Sequence, residues 1–114
     1  MEQRSEEWFA ARLGCVTASR TADVMAKTKS GYSASRGNYM AQLITERLTG
    51  AKADGFSSAA MQWGTETEPQ ARAAYELMTG EDVLEDGFVA HPTITGFGAS
   101  PDGLVGSDGL VEIK

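Results

Sequence analysis

The chain has 114 residues, 41% of them hydrophobic, which allows one small domain with a modest core and argues against disorder. No apolar run approaches the ~20 residues of a membrane span, the polar N-terminus lacks a signal-peptide pattern, and the single cysteine excludes an intramolecular disulfide. We therefore expect a cytoplasmic protein. The net charge of −6 at first disfavours a nucleic-acid partner.

Two short helices are predicted near the N-terminus. The first covers 5–13, with Ser5 as a good N-cap. A second helix is expected to begin near Thr17 or Ser19 and to end where 27–31, interpreted as a loop, begins.

Two longer helices follow. Apolar residues at helical spacing predict a helix over 35–49, and residues 52–57 are interpreted as a linker. The longest predicted helix covers 58–79, where Pro69 is expected to cause a kink or a restart. Its apolar face is predicted to comprise Met61, Ala71, Ala74, Tyr75 and Met78.

The pattern then changes to short strands separated by turn residues. Strand pieces are predicted over 83–85, 88–90, 104–105 and 110–114. Helices followed by an antiparallel β meander indicate an α+β domain. Because Lys114 lies inside the last strand pattern, we expect the chain to be a truncated domain.

Three polar residues near the C-terminus form the strongest chemical pattern. Glu112 and Lys114 are two positions apart on a strand, so their side chains point to one face. A three-residue loop over 107–109, with Gly109 in the left-handed conformation, would pair Asp102 with Lys114 and bring it to the same face. Two carboxylates about 5 Å apart can share one hard cation.

Phosphodiester hydrolysis explains why these residue types occur together. A carboxylate-held Mg²⁺ supplies an activated water and relieves charge on the phosphoryl oxygens, and a lysine can orient the water. A surface hairpin with a salt bridge gives the same pattern, so this alternative stays open here. The charge distribution permits DNA binding, since residues 1–52 carry eight Lys/Arg and five Asp/Glu, whereas residues 53–114 carry two and eleven.

Four sequence blocks occur in a specific order, namely Trp8–Gly14 with Val16–Ser19, Trp63–Glu68, Ser100–Gly103 and Val111–Lys114. Together they resemble the phage lambda exonuclease family, also called YqaJ-like viral recombinases, within the PD-(D/E)xK nucleases. The resemblance covers essentially the whole chain. It implies a restriction-endonuclease-like core, expected here as a single domain over 1–114 that lacks the family's C-terminal strands and helices.

The resemblance implies catalytic roles for matching residues. Asp102 and Glu112 bind Mg²⁺, for which Mn²⁺ is a plausible substitute, and Lys114 assists the attacking water. Glu68 is the further acidic residue at the metal site. Glu66 competes with it for this role, but a helix places the two about 200° apart, so only one can face the site.

The resemblance further implies that Arg12, Ser19 and Ser100 hold the 5′-terminal phosphate of the cut strand. Ser19 at a helix start would offer free backbone N–H groups, and Arg12 can bind phosphate with two parallel hydrogen bonds. Without the resemblance, an ordinary N-cap and a solvated helix residue are the simpler interpretations of Ser19 and Arg12.

Four other residues are given structural roles. Trp63 is predicted to lie in the core and Gly64 to allow close helix packing. Cys15 is predicted to be a small buried residue, and His91 to end a strand.

The function predicted from these patterns is a Mg²⁺-dependent 5′→3′ exonuclease on double-stranded DNA, of the phage recombination type, which leaves 3′ single strands. The resemblance implies a single-strand annealing protein as a partner, a trimeric ring of identical chains, and a phage or prophage origin in a bacterial host. The alternatives are a related PD-(D/E)xK endonuclease and a non-catalytic DNA-binding fragment, which the absent C-terminal elements motivate.

Overall fold

The structure is a computed structural model that describes residues 1–52, 55 and 57–114. Part of the predicted linker over 52–57 lies outside the described residues. In chain order the elements are α1 (Glu6–Arg12), β1 (Val16–Thr17), a 3-10 turn (Ala18–Arg20), α2 (Thr21–Met25), β2 (Lys27–Thr28), β3 (Gly31–Tyr32), α3 (Ala34–Thr49), α4 (Ala59–Thr79), β4 (Val83–Leu84), β5 (Val89–Ala90), β6 (Phe97–Ala99), β7 (Gly103–Val105) and β8 (Gly109–Val111).

The chain forms two compact units. The first consists of 1–53 and 87–100, and the second of 54–86 and 101–114. The first unit contains a sheet in the order β1-β6-β5, and the second contains an antiparallel sheet in the order β4-β7-β8. Helices with short, mostly antiparallel strands confirm the predicted α+β class.

Helix α1 begins and ends where the sequence predicts. The Ser5 Oγ accepts a hydrogen bond from the backbone N–H of Trp8, and Gly14 follows the helix with φ 69°. An ideal Cβ on Gly14 would lie 2.5 Å from Cγ of Arg47, whose Nε donates to the Gly14 carbonyl at 2.9 Å. Only glycine combines this left-handed conformation with so close an approach of α3.

The segment after α1 differs from the prediction in two places. Val16 and Thr17 form β1, which pairs in parallel with β6. The helical segment begins directly after Thr17, which is the N-cap of the 3-10 turn, so the first of the two predicted starts is confirmed, whereas Ser19 lies inside the turn. The predicted loop over 27–31 contains the β2–β3 hairpin. Both differences have one cause, because two-residue strands are too short to show an alternating pattern in a sequence.

Helix α3 is connected to the start of β1 through a buried tyrosine. The helix ends at Thr49, as predicted, and Gly50 caps it in the left-handed conformation. Tyr39 is 4% exposed, and its hydroxyl accepts a hydrogen bond from the Thr17 backbone N–H at 3.1 Å and donates to the Cys15 carbonyl at 3.4 Å. Glu46 is also buried in this helix. The buried tyrosine therefore fixes α3 against the start of β1.

Helix α4 runs from Ala59 to Thr79 with Pro69 inside it, so of the predicted kink or restart the restart is wrong. Trp63 is 67% exposed, so its predicted core position is wrong. Gly64 has no described atom within 4 Å of an ideal Cβ, so its predicted packing role is also wrong.

The inward stripe of α4 is charged. It consists of three residues spaced four apart, about one helical turn, of which Arg72 is buried and Glu68 and Glu76 are half-buried. In contrast, Met61 and Met78 of the predicted apolar face are 54% and 86% exposed. Tyr75 and Ala74 are exposed as well. Of the predicted apolar face only Ala71 is half-buried. The other four predicted residues are exposed because ionic side chains occupy the stripe that hydrophobic residues usually fill.

His91 follows β5, as predicted, and its Nδ1 accepts hydrogen bonds from the backbone N–H groups of Thr93 and Ile94. Cys15 is half-buried rather than buried. In the described part of the chain, no helix has both the length and the apolar content that crossing a membrane requires.

Candidate active site

The β7–β8 hairpin carries the C-terminal acidic residues. Its register pairs Gly103 with Val111 and Val105 with Gly109, so the connecting loop consists of three residues, 106–108. The loop length agrees with the prediction, but its position does not. Gly106 adopts the left-handed conformation, with φ 62°, in place of Gly109. The sequence has a glycine at either end of the turn, Gly106 and Gly109, so it does not decide which of the two adopts the left-handed conformation.

This shift of the register preserves the predicted face. When the pairing of Gly103 with Val111 is continued by one residue, Asp102 lies opposite Glu112. Glu112 and Lys114 are exposed, while Val111 and Ile113 are half-buried, so the side chains alternate as expected for extended backbone. The Asp102 Oδ2 accepts a hydrogen bond from the Ile113 backbone N–H at 2.7 Å.

Helix α4 supplies a third acidic residue to the same unit. The Glu68 side chain is 13% exposed, whereas Glu66 is exposed, so Glu68 is the residue on the inward stripe. Its Oε1 lies 2.8 Å from Nη2 of Arg72. The same nitrogen donates to the Asp102 backbone carbonyl at 3.2 Å. The Arg72 guanidinium therefore contacts both Glu68 and Asp102.

The donor set fits a hard divalent cation in its chemistry. Among the described residues, no group of three acidic, histidine or cysteine side chains converges to enclose an ion. Mg²⁺ does not need such a cage, because it is commonly held by one or two carboxylates with waters and substrate phosphate oxygens. Asp102 and Glu112 could provide those two carboxylates.

The first unit contains a cavity of about 190 Å³ that includes Arg12 and Ser19 in its lining. Arg20 and Lys52 add two further cations, and Glu46 is the one acidic residue among the lining residues. Such an excess of positive charge around a concave space suits an anion. Ser100 is not one of the lining residues.

Trp8 connects Arg12 and Ser100 within this unit. The Arg12 guanidinium carbon lies 3.9 Å from the centroid of the Trp8 ring. The Trp8 Nε1–H is within 3.1 Å of both the Ser100 Oγ and the Gly87 carbonyl. Since Ser100 accepts this hydrogen bond, its own hydroxyl hydrogen stays available for another acceptor.

Burial lowers the pKa of Arg12, while Tyr39 and Glu46 act in the opposite direction. Its Nε is buried and has no hydrogen-bond partner in the structure. A buried donor without a partner costs free energy, which an incoming anion would recover.

Sequence reasoning missed Trp8 and Arg72 as parts of these sites. Both carry a recognisable signal, because each is four residues from a predicted site residue on the same helix: Trp8 from Arg12, and Arg72 from Glu68. Residues four apart on a helix are neighbours on its surface. This spacing of four residues is therefore the sequence feature that indicates both Trp8 and Arg72.

Comparison with known proteins agrees with the sequence resemblance. The profile of the YqaJ-like viral recombinase domain matches residues 7–114. The chain therefore belongs to the family of YqaJ-like viral recombinase domains. A comparison with curated proteins gives no match.

Two solved structures are similar to the chain over most of its length. One is LHK-Exo in complex with dAMP, with 65% sequence identity and a TM-score of 0.84. The other is the alkaline exonuclease LHK-Exo from Laribacter hongkongensis, with 65% identity and a TM-score of 0.82. Each match covers 95% of this chain and 52% of the other. The chain thus spans about half the length of these solved relatives.

Proposed function

We propose that this chain carries the nuclease centre of a Mg²⁺-dependent exonuclease that degrades double-stranded DNA from its 5′ ends and leaves 3′ single strands. The observation that supports the proposal is the register of the β7–β8 hairpin in a chain 65% identical to an alkaline exonuclease. When its pairing of Gly103 with Val111 is continued by one residue, Asp102 lies opposite Glu112. Arg72 adds Glu68 to the same group of residues.

The proposed chemistry assigns one task to each side chain. Asp102 and Glu112 hold the cation, which supplies charge stabilisation and an acidified water when it is bound. Lys114, on the face of Glu112, donates to the attacking water or to a phosphoryl oxygen. The hydrogen bond from the Ile113 N–H holds the Asp102 carboxylate in one orientation before substrate arrives.

The cavity of the first unit is proposed to bind the 5′-terminal phosphate through Arg12 and Ser19 of its lining. Ser100, which lies outside the lining and is connected to Arg12 through Trp8, is proposed as the third phosphate contact. The cationic lining of the cavity and the unpartnered Arg12 Nε support this role. The relative LHK-Exo was crystallised with dAMP, a nucleoside 5′-monophosphate of the kind that such an exonuclease releases.

The direct test measures digestion of linear 5′-phosphorylated duplex DNA with and without Mg²⁺. Asp102→Asn is expected to reduce the rate on the order of 100-fold or more, because a group aimed at the reacting charge is lost. Asp108→Asn changes the same side chain in the exposed turn of the same hairpin and is expected to keep the rate. Equal rates for Asp102→Asn and the parent chain would contradict the proposal.

Covalently closed circular DNA distinguishes the related endonuclease. An exonuclease leaves it intact, while an endonuclease cuts it. A 5′-hydroxyl end gives a second comparison, since loss of Arg12 should slow digestion only of 5′-phosphorylated ends.

A non-catalytic DNA-binding fragment is the second candidate. It is motivated by the length of the match, because the chain spans about half of its solved relatives. Calorimetric titration with Mn²⁺ and Mg²⁺ decides between the two. Binding heat that disappears in Asp102→Asn supports the nuclease, and salt-sensitive duplex binding without any metal heat supports the fragment.

The trimeric ring, the annealing protein as a partner, and action in the bacterial cytoplasm are further proposals from the family resemblance. Sedimentation analysis of the chain at several concentrations tests the trimer. Three times the mass of a single chain is the expected result.

A further inference from the structure

Arg72 is a buried cation in the middle of α4 to which the proposed chemistry assigns no task. The residue is 9% exposed. Its Nη1 lies 2.7 Å from the Glu85 Oε1, and its Nη2 lies 2.8 Å from the Glu68 Oε1. Its Nε and Nη2 also donate to the Asp102 backbone carbonyl, at 3.3 and 3.2 Å.

These contacts join three separate segments of the second unit. Glu68 is on α4, Glu85 follows β4, and Asp102 precedes β7. Removing a charged group from water is costly, and a buried ion pair often adds little stability compared with a hydrophobic contact. A planar guanidinium, in contrast, can hold two acceptors at a fixed separation, which an ammonium cannot do.

The positions of the acceptors show what Arg72 can control. It binds the carboxylate of one proposed site residue, Glu68, and the main chain of another, Asp102. Asp102 is therefore held at both ends, by Arg72 at its carbonyl and by the Ile113 N–H at its carboxylate. The contact to Glu85, whose side chain is 67% exposed, belongs to the outer end of the network.

We propose that Arg72 is the positioning residue of the cation site, which sets Glu68 relative to Asp102 so that the carboxylates are arranged before the cation binds. The proposal rests on the proposed function, because it needs a cation at Asp102 and Glu112. In this proposal Arg72 acts only through Glu68 and Asp102.

The test measures Mn²⁺ affinity by calorimetry for the parent chain, Asp102→Asn, Arg72→Lys, Arg72→Gln and Glu85→Gln. Arg72→Lys keeps the charge but loses the fork, and we expect it to weaken Mn²⁺ binding about 10- to 100-fold, as is usual for partners of metal ligands. Arg72→Gln is expected to weaken it at least as much. Glu85→Gln removes only the exposed contact and is the matched control, with an affinity within about twofold of the parent.

A second measurement separates positioning from general support of the fold. Hydrogen exchange of the Ile113 amide reports its bond to Asp102, and the Val16 amide, which donates to the Gly96 carbonyl in the first unit, serves as the reference. Arg72→Lys is expected to speed exchange at Ile113 and to leave Val16 unchanged. Equal acceleration of both amides would show a merely structural role and overturn the inference.

The outcomes also separate the two proposals. If the parent chain binds no Mn²⁺, or if Asp102→Asn binds it equally well, the proposed function fails and the role of Arg72 fails with it. If the parent binds Mn²⁺, Asp102→Asn does not, and Arg72→Lys binds like the parent, only the role of Arg72 is overturned.

Discussion

At the scale of single residues, two arginines organise the two proposed sites in different ways. Arg12 lies on the face of an indole, keeps one donor unpartnered and lines a cavity. Arg72 uses its donors on carboxylates and a carbonyl. The first arrangement leaves a cation available to a ligand, whereas the second uses a cation to hold other groups.

Trp8→Phe tests whether the indole prepares the phosphate pocket. The change keeps an aromatic ring beside Arg12 but removes the N–H that Ser100 accepts. We expect binding of a 5′-phosphorylated duplex to weaken about fivefold, which corresponds to one hydrogen bond of about 1 kcal/mol. Binding of the 5′-hydroxyl duplex should change little. The control is Trp63→Phe, because that ring is 67% exposed, and an equal effect of both changes would argue against the role of Trp8.

At the scale of elements, the sequence predicted the long helices well and the short strands poorly. α1, α3 and α4 carry caps that can be recognised from sequence, namely a serine before each helix and a glycine after it. The strands contain two or three residues each, and their pairing depends on distant partners, as the parallel match of β1 with β6 shows. Tertiary contacts of this kind leave no local pattern.

The hairpin register shows which part of the site was predictable. Side-chain alternation has a period of two, so a register that moved by two positions still left Asp102 and Glu112 on one face. The turn itself was not predictable, since Gly106 and Gly109 both permit a left-handed residue. The network of Arg72 could not be deduced from hydrophobic periodicity, because it replaces an apolar stripe with charges.

Gly14→Ala tests the junction between α1 and α3. The alanine would have to adopt the φ of 69° that Gly14 has, and its Cβ would lie 2.5 Å from Cγ of Arg47. We expect the free energy of unfolding to fall by about 2 kcal/mol, from backbone strain and crowding together. Urea denaturation of the chain measures this change.

Gly37→Ala is the control, because the same substitution at this position is expected to have the opposite effect on stability. Gly37 lies inside α3, and an added Cβ would meet no described atom within 4 Å. The change is expected to stabilise the chain by about 0.5–1 kcal/mol, because alanine loses less backbone entropy in a helix. Destabilisation by Gly37→Ala equal to that of Gly14→Ala would refute the argument from local geometry.

At the scale of the whole molecule, charge is divided between the two units. The first unit has eight Lys/Arg and five Asp/Glu, and the second has two and eleven. The unit with the cationic cavity is thus positive overall, and the unit with the proposed cation site is negative. A net charge of −6 therefore does not argue against DNA as a partner.

Lys52→Gln tests the contribution of the positive unit to DNA affinity. Lys52 lines the cavity, and its Nζ lies 4.3 Å from the centroid of the Phe9 ring. If it neutralises one phosphate, the slope of log affinity against log salt should decrease in magnitude by about 0.9. Glu81→Gln, a neutralising change at an exposed position of the other unit, should leave the slope unchanged. An unchanged slope in Lys52→Gln would remove Lys52 from the DNA contact.

The contrast between the two tryptophans has an optical consequence. Trp8 is 8% exposed and Trp63 is 67% exposed, so a soluble quencher should extinguish the fluorescence of Trp63 first. A Trp63→Phe chain would emit from Trp8 alone, whose ring lies beside the Arg12 guanidinium and whose N–H reaches Ser100. An anion that binds Arg12 would change the charge beside this fluorophore, so its emission would report occupancy of the cavity without any label on the DNA.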